Sequence, residues 1–361
     1  MTAKDHPFIT LFEQFIKDSY KGKRLKPDGR KIRTQTIDNY VYVLQHLKEF
    51  EQSNSNPLRI KIITGTNQKL LTAERNYWKK FYLQFTQFLY QQKGCYDNYV
   101  GNVIKVIRVF FNYLHRDKLM KVGDFYKSFY VCKEDVPIIT LLPEQLQFLI
   151  YNQPFEESLT PSLQNTKDLF VFGCTVALRS SDLFALRFTD IEAVGTGYYL
   201  SIRTIKTDTP IRIKLPGYAV AIIDKFRKTA RTRKTIFPPI SKNQFNKNVK
   251  RLAELAGWTQ ELGKSRSRRG KHTPQINEAT KKRHRFCDLL SSHTMRRTAI
   301  TTMLMLGMAE HIVKKISGHA ANSKAFYRYV NLVQSYLDHE VDKVFDQLGM
   351  VPSSQKSLAG A

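Results

Sequence analysis

Within residues 292–330 of this chain, His293, Arg296, His319, Tyr327 and Tyr329 follow in an order suited to chemistry on a phosphate. His293 and Arg296 stand three residues apart, just under one helical turn, so both should project from the same face. An apolar ladder of Ile300, Met303 and Leu304 follows, with Gly307 as a stop. A second short helix carries Ile312, Val313 and Ile316, and Ser317-Gly318-His319 forms a turn that presents an imidazole. Arginine is planar, permanently charged and forks onto two phosphate oxygens. Imidazole donates to phosphate or moves a proton near neutral pH, and a phenol can attack phosphorus and hold it covalently.

His-x-x-Arg alone is a common chance pair, and two tyrosines among 18 mark nothing by themselves. More distant residues supply the context. Arg179 directly follows an apolar segment, and a half-buried arginine needs an anion. Asp182, three residues on, could orient it or simply form a surface ion pair with it. Lys206 ends the segment Thr-Ile-Lys before a turn of Thr207, Asp208, Thr209 and Pro210, with Lys214 a weaker candidate deeper in the next strand.

Composition narrows the partners. The chain has 361 residues, enough for two domains, and 42% hydrophobic content argues for folded structure. A net charge of +27 points to nucleic acid ahead of a merely solvated basic surface or an anionic membrane. Cys95, Cys132, Cys174 and Cys287 form no Cys-x-x-Cys pair, so a structural zinc site is not expected and a reducing compartment is. There is no signal-like apolar region and no run long enough to span a bilayer; a soluble cytoplasmic protein is expected.

These residues need elements to hold them. In the first third, helical spacing marks 8–15 (Phe8, Leu11, Phe12, Phe15), a helix capped by Thr34 or Thr36 (Ile37, Tyr40, Val41, Leu44, Leu47), 72–92 (Trp78, Phe81, Phe85, Phe88, Leu89) and 98–114 (Val103, Ile104, Ile107, Phe110, Phe111, Leu114). Residues 21–33 read as a loop and 58–63 as a short connector. Lys31, Arg33, Lys79, Lys80, Lys105, Arg108 and Arg116 are candidate phosphate contacts, which fix register but read little sequence. A linker with Pro137 falls near 130–139. Beyond it come a helix capped near Thr140 with Pro143 in its first turn, a buried helix over 164–178, strands over 198–215, and a basic helix over 243–256 that could lie along a major groove. Residues 263–285 are the most basic stretch and read as a loop, mobile until it meets a phosphate backbone. After the tyrosines, Val333, Leu337, Val341, Val344, Phe345 and Leu348 form a helical stripe.

Taken in order, Arg179 with Asp182 and Leu183-x-x-Leu186, Lys206 before Ile211-Arg-Ile-Lys-Leu-Pro216, His293-x-x-Arg296, and Gly318-His319 followed by a tyrosine resemble the tyrosine recombinases, the phage-integrase family, over nearly the whole chain. The helix order of the first third resembles that family's core-binding domain, and no room remains ahead of it for an arm-binding domain. The resemblance implies a mainly α fold with a small β-hairpin or sheet in the catalytic lobe, arranged as a two-domain C-shaped clamp. Its parts would be a SAM-like helical core-DNA-binding domain (1–130), a linker (131–139), a catalytic domain (140–350) and a flexible tail (351–361). Arg179 and Arg296 would clamp the scissile phosphate, His319 would donate to it, and His293 would accept the tyrosine proton or bind phosphate. Lys206 would protonate the departing 5′-hydroxyl. Tyr329, ten residues past His319 and just before Val330, is favoured over Tyr327 as nucleophile.

The implied activity is site-specific recombination or integration through a 3′-phosphotyrosine bond and a Holliday junction, without metal, ATP or another cofactor. The implied partners are double-stranded DNA with specific core sites, a tetramer of the chain on that DNA, and an accessory directionality or bending protein, in a nucleoid-associated setting. Type IB topoisomerase-like strand passage and a non-catalytic DNA-binding role on the same scaffold are the alternatives.

Overall fold

The computed structural model describes residues 4–54, 57–62 and 67–349; the tail at 351–361 lies outside them. The molecule is mainly helical with small antiparallel sheets. The first elements are β1 (Lys4–Pro7), α1 (Phe8–Tyr20), α2 (Thr34–Asn54), β2 (Arg59–Ile62), α3 (Gln68–Gln91) and α4 (Asp97–Arg116). There follow α5 (Pro143–Tyr151), α6 (Gln153–Ser158), α7 (Pro161–Val176), α8 (Ser180–Phe184), β3 (Ile191–Val194), β4 (Gly197–Arg203), β5 (Pro210–Leu215) and α9 (Gly217–Lys228). The chain continues through α10 (Lys242–Leu255), β6 (Lys264–Arg268), β7 (Lys271–Gln275), α11 (Phe286–Leu289), α12 (Ser292–Met305), α13 (Glu310–Ser317) and α14 (Lys324–Gly349). It divides into two compact units: residues up to Val136 together with Lys264–Gln275, and Pro137–Gly263 together with the chain from Ile276 on.

The first unit is built on aromatic side chains at helical spacing. Phe8, Phe12 and Phe15 of α1 pack with Tyr40 and Leu47 of α2, Trp78, Phe81 and Phe85 of α3, and Phe110 and Phe111 of α4. Phe8 meets Phe110 edge-on at 5.0 Å and Trp78 meets Phe111 edge-on at 4.9 Å, the geometry that ring quadrupoles favour. The expected connector at 58–63 contains a strand instead: β2 pairs antiparallel with β1, Asp5 opposite Lys61. A four-residue strand running straight into a helix is too short to show a period.

The basic stretch also departs from expectation. Within 263–285, β6 and β7 form an antiparallel hairpin with Arg266 opposite Thr273, and it belongs to the first unit. Asp97, at the start of α4 and 6% exposed, accepts the backbone N–H groups of Arg269 (2.8 Å) and Gly270 (2.9 Å) at the hairpin turn. Glu134 accepts from the Ser267 N–H and the Arg266 guanidinium. Arg268 lies 4.8 Å from the centre of the Tyr96 ring, and Arg269 lies 5.3 Å from that of Tyr90. Charge composition alone suggested a loop; two buried carboxylates and two aromatic faces make it a docked hairpin.

In the second unit, α7 is the central helix, with Leu169, Phe170, Val171, Phe172, Cys174 and Val176 buried. Helix α12 packs along it. Their approach depends on Gly173, where an added Cβ would run into Met295 Sδ and, at 2.8 Å, Leu183 Cδ2. The sheet order is β3-β4-β5, all antiparallel, and Ile211, Ile213 and Leu215 alternate inward along β5. Helix α10 buries Phe245, Val249 and Leu252, and its Asn248 donates to Thr166 of α7 (3.0 Å). Thr140 does not cap α5. The helix starts at Pro143, and the Leu142 N–H is satisfied by the Gln145 side chain at 2.9 Å.

Candidate active site

All six residues singled out for chemistry lie in the second unit. Helix α7 ends at Val176, and Ala177 takes a left-handed conformation (φ 53°) while fully buried. That conformation is costly for a residue with a Cβ and persists where its surroundings demand it. The turn aims the Ala177 carbonyl at Arg296, whose Nη1 donates to it at 2.7 Å. Two residues later Arg179 sits at the start of α8 in extended conformation, with its Nη1 buried and without a hydrogen-bond partner among the described residues.

Arg296 is 7% exposed. Burial, and then the charge of Arg179, lower its pKa to about 10, with Tyr329 and Asp182 opposing the shift. No carboxylate is paired with it among the described residues. Its Nη2 lies 3.4 Å from both ring nitrogens of His319. His319 follows Gly318, which closes α13 in the left-handed region (φ 62°). The Ser317 hydroxyl donates to the Val313 carbonyl (2.6 Å) and sits 2.7 Å from His319 Nδ1, so it is set to accept the Nδ1–H. Burial first, then the charges of Arg296, Arg179 and Lys314, lower the His319 pKa to about 4, so the ring is neutral near pH 7.

Tyr329 and Tyr327 point apart, as two-residue spacing on a helix requires. Tyr329 packs at the edge of the small cluster formed by Ala177, Ala299, Ile300, Val313 and Phe326, its ring 6.1 Å from that of His319. Tyr327 is 50% exposed and lies under the Lys314 ammonium, 4.9 Å away. Only Tyr329 lies against the arginine and histidine group.

His293 shares the first turn of α12 with Arg296, but the environments differ: Arg296 is buried and His293 is exposed. The His293 pKa is lowered by desolvation of the ring, then by the charges of Lys242, Arg297, Arg296 and Lys206. Lys206 lies within the turn 204–209, past the end of β4. That turn is braced by Thr204, whose hydroxyl contacts Thr207 (2.8 Å) and accepts the Thr209 N–H (3.1 Å). Lys214 lies near the end of β5, opposite Tyr199.

Asp182 does not hold Arg179. It is 3% exposed, its Oδ1 accepts the Ile205 backbone N–H at 2.7 Å, and its Oδ2 has no hydrogen-bond partner among the described residues. Asp182 therefore fixes the turn that carries Lys206. Three neighbours of the site had no sequence signal: the Ala177 carbonyl, the Ser317 hydroxyl beside His319, and Lys242 beside His293. The Ala177 carbonyl reaches Arg296 across the fold, whereas Ser317 meets His319 within a single turn.

No protein-family model and no curated protein matches the sequence. Solved structures do. The chain resembles a lambda integrase dimer bound to a COC′ core site (TM-score 0.55, 14% identity, covering 91% of this chain and 77% of that one). Lambda integrase also matches as a tetramer bound to a Holliday junction (TM-score 0.52, 13% identity, 88% and 76% covered). XerH site-specific recombinase on a palindromic difH substrate matches with TM-score 0.56 and 13% identity, over 92% of this chain and 94% of that one. The Tn1549 transposon integrase on transposon right end DNA matches with TM-score 0.54 and 13% identity, over 90% and 94%. All three are tyrosine recombinases, and this chain has their fold.

Proposed function

We propose that this protein is a site-specific DNA recombinase that cuts and rejoins strands through Tyr329. One observation carries the reading. Two arginines and a histidine from separate elements gather beside one tyrosine, with no carboxylate paired to Arg296 among the described residues. A pair of cations, Arg296 buried and Arg179 half-buried, with no carboxylate in an ion pair with either among the described residues, favours an anion.

In the proposed reaction Tyr329 Oη bonds to phosphorus and the bond from phosphorus to O5′ breaks. His293, kept neutral by its surroundings, takes the phenolic proton; Lys206 gives a proton to the departing 5′-oxygen. Arg179 and Arg296 hold the non-bridging oxygens and stabilise the added negative charge of the transition state. A bound phosphate would oppose the burial and the arginine charges that lower the His319 pKa, and the ring, taking a proton from solvent, would donate to an oxygen. The phosphodiester energy is kept in the phosphotyrosine bond, and a 5′-hydroxyl from a partner strand reverses the step. This chemistry requires neither ATP nor a metal.

The helical first unit would bind the core site, and its exposed cations would hold phosphates. Self-association on DNA is supported by α14, where Leu337, Val341 and Phe345 recur every fourth residue and are 39%, 50% and 64% exposed. The neighbour structures include a lambda integrase tetramer on a Holliday junction. No helix among the described residues is long and apolar enough to cross a membrane.

A nicked suicide duplex carrying the recombination site tests the reading. The protein should become covalently attached to the 3′-phosphate; Tyr329→Phe should abolish the adduct, and Tyr327→Phe should leave it intact. Adduct formation with relaxation of any supercoiled plasmid, indifferent to site, would favour the topoisomerase alternative. No adduct on any site would favour a DNA-binding role alone.

A further inference from the structure

Four cations act electrostatically on His293: Lys242 from α10, Arg296 and Arg297 from α12, and Lys206 from the β4–β5 turn. Lys242 has no role in the reaction as written above. The helix that carries it is held in place by hydrogen bonds. Asn246, one turn further along α10, accepts the backbone N–H of Ser292 at 2.8 Å, which ties α10 to the first turn of α12. Asn248 ties the same helix to α7. Side chains on a helix tilt toward its N-terminus, so Lys242, four residues before Asn246, projects past that junction toward His293. Among the charges acting on His293, that of Lys242 is the largest.

Lys242 carries a charge that the reaction at the scissile phosphate does not use, and a DNA strand offers further phosphates beside that one. Successive phosphates of one strand lie roughly 3.4 Å apart along the duplex axis, so a phosphate next to the scissile one falls within reach of a long side chain beside the site.

We propose that Lys242 is a further DNA-binding residue of this site, contacting a phosphate that flanks the scissile one on the strand being cut. The proposal rests on the recombinase reading above. Lys242 joins two requirements: it anchors the strand next to the break, and it keeps a proton off His293 until the phenol supplies one.

The test uses the full-length protein and nicked duplexes in which single phosphates beside the scissile one are replaced by neutral methylphosphonates. One such position should slow the wild-type protein on the order of tenfold. Lys242→Ala should be slowed by a similar factor on ordinary DNA and lose nothing more at that position. Lys242→Arg should recover most of the rate, while Lys247→Ala, on another face of α10, should keep the full methylphosphonate effect. The acid limb of the cleavage profile should move to higher pH in Lys242→Ala, a change that a purely structural role would not produce. The proposal is overturned if Lys242→Ala stays as sensitive as wild type at every position. Should the wild-type protein form no adduct on any substrate, the cleavage reading falls. The salt dependence of binding then judges the phosphate contact: the slope should drop by about one for Lys242→Ala, and an unchanged slope rejects it.

Discussion

Arg266, Arg268 and Arg269 of the β6–β7 hairpin and Arg179 and Arg296 of the second unit answer to the same description in a chain of net charge +27. Their surroundings differ in kind. The hairpin arginines meet carboxylates and rings supplied by the first unit: Glu134 for Arg266, Tyr96 for Arg268 and Tyr90 for Arg269, with Asp97 holding the turn between the strands. Arg179 keeps a buried nitrogen without a partner, and Arg296 is fixed by a neutral carbonyl and a neutral imidazole. In a strongly basic protein, the local density of positive charge does not locate the ligand. The absence of internal compensation does, because a desolvated cation is costly until an anion arrives.

The sharpest way to break this comparison is to remove one arginine from each group. Arg296→Ala should lower the rate of covalent adduct formation by roughly a thousandfold, and Arg266→Ala should leave that rate within about threefold. Equal losses, measured on the same suicide duplex, would erase the distinction. The next effect concerns stability. Glu134→Ala strips Arg266 and the Ser267 amide of their acceptor, which should cost roughly 2–3 kcal/mol of hairpin docking. Hydrogen exchange at the Ser267, Arg269 and Gly270 amides should accelerate while the site around Arg296 keeps its protection.

The smallest effect is a pH dependence confined to the hairpin. Burial alone would raise the Asp97 pKa, but the Tyr90 hydroxyl and the Gly270 and Arg269 amides outweigh it and the value is lowered. For Glu134, burial is likewise outweighed by Ser267 and Arg266. Both carboxylates therefore contribute fully above their ordinary values of 3.8 and 4.5, and the contribution is lost as pH falls through the lower folded values. Exchange at those three amides, corrected for its intrinsic pH dependence, should speed up selectively on acidification below about pH 4. Constant protection across that window would mean the carboxylates do not hold the hairpin.

Much of the candidate site was legible in the sequence because its signals are local. His293 and Arg296 share one helical turn, Gly318 licenses the left-handed turn that presents His319, and the apolar periods marked α1 to α4, although α1 runs on to Tyr20 and α2 to Asn54, past the stripes that end at Phe15 and Leu47. Other features were not legible because they depend on contacts between distant segments. Asp182 lies three residues from Arg179, and local spacing suggested that the two pair. The fold instead sets its carboxylate against the Ile205 amide, 23 residues away. Residues 264–275 carry five Lys and Arg and no acidic residue, and nothing within them shows that Asp97 and Glu134 will dock them as a hairpin.

By itself the sequence determined which groups are available: guanidinium, imidazole, ammonium and phenol side chains, in a fixed order, on helices whose apolar faces must be buried. Only the tertiary structure decided which cations remain uncompensated, and which of two tyrosines lies against them. Burial and partner choice are properties of the assembled core. A charge in the unfolded chain is solvated wherever it stands, and acquires a need for an anion only once water has been removed from around it.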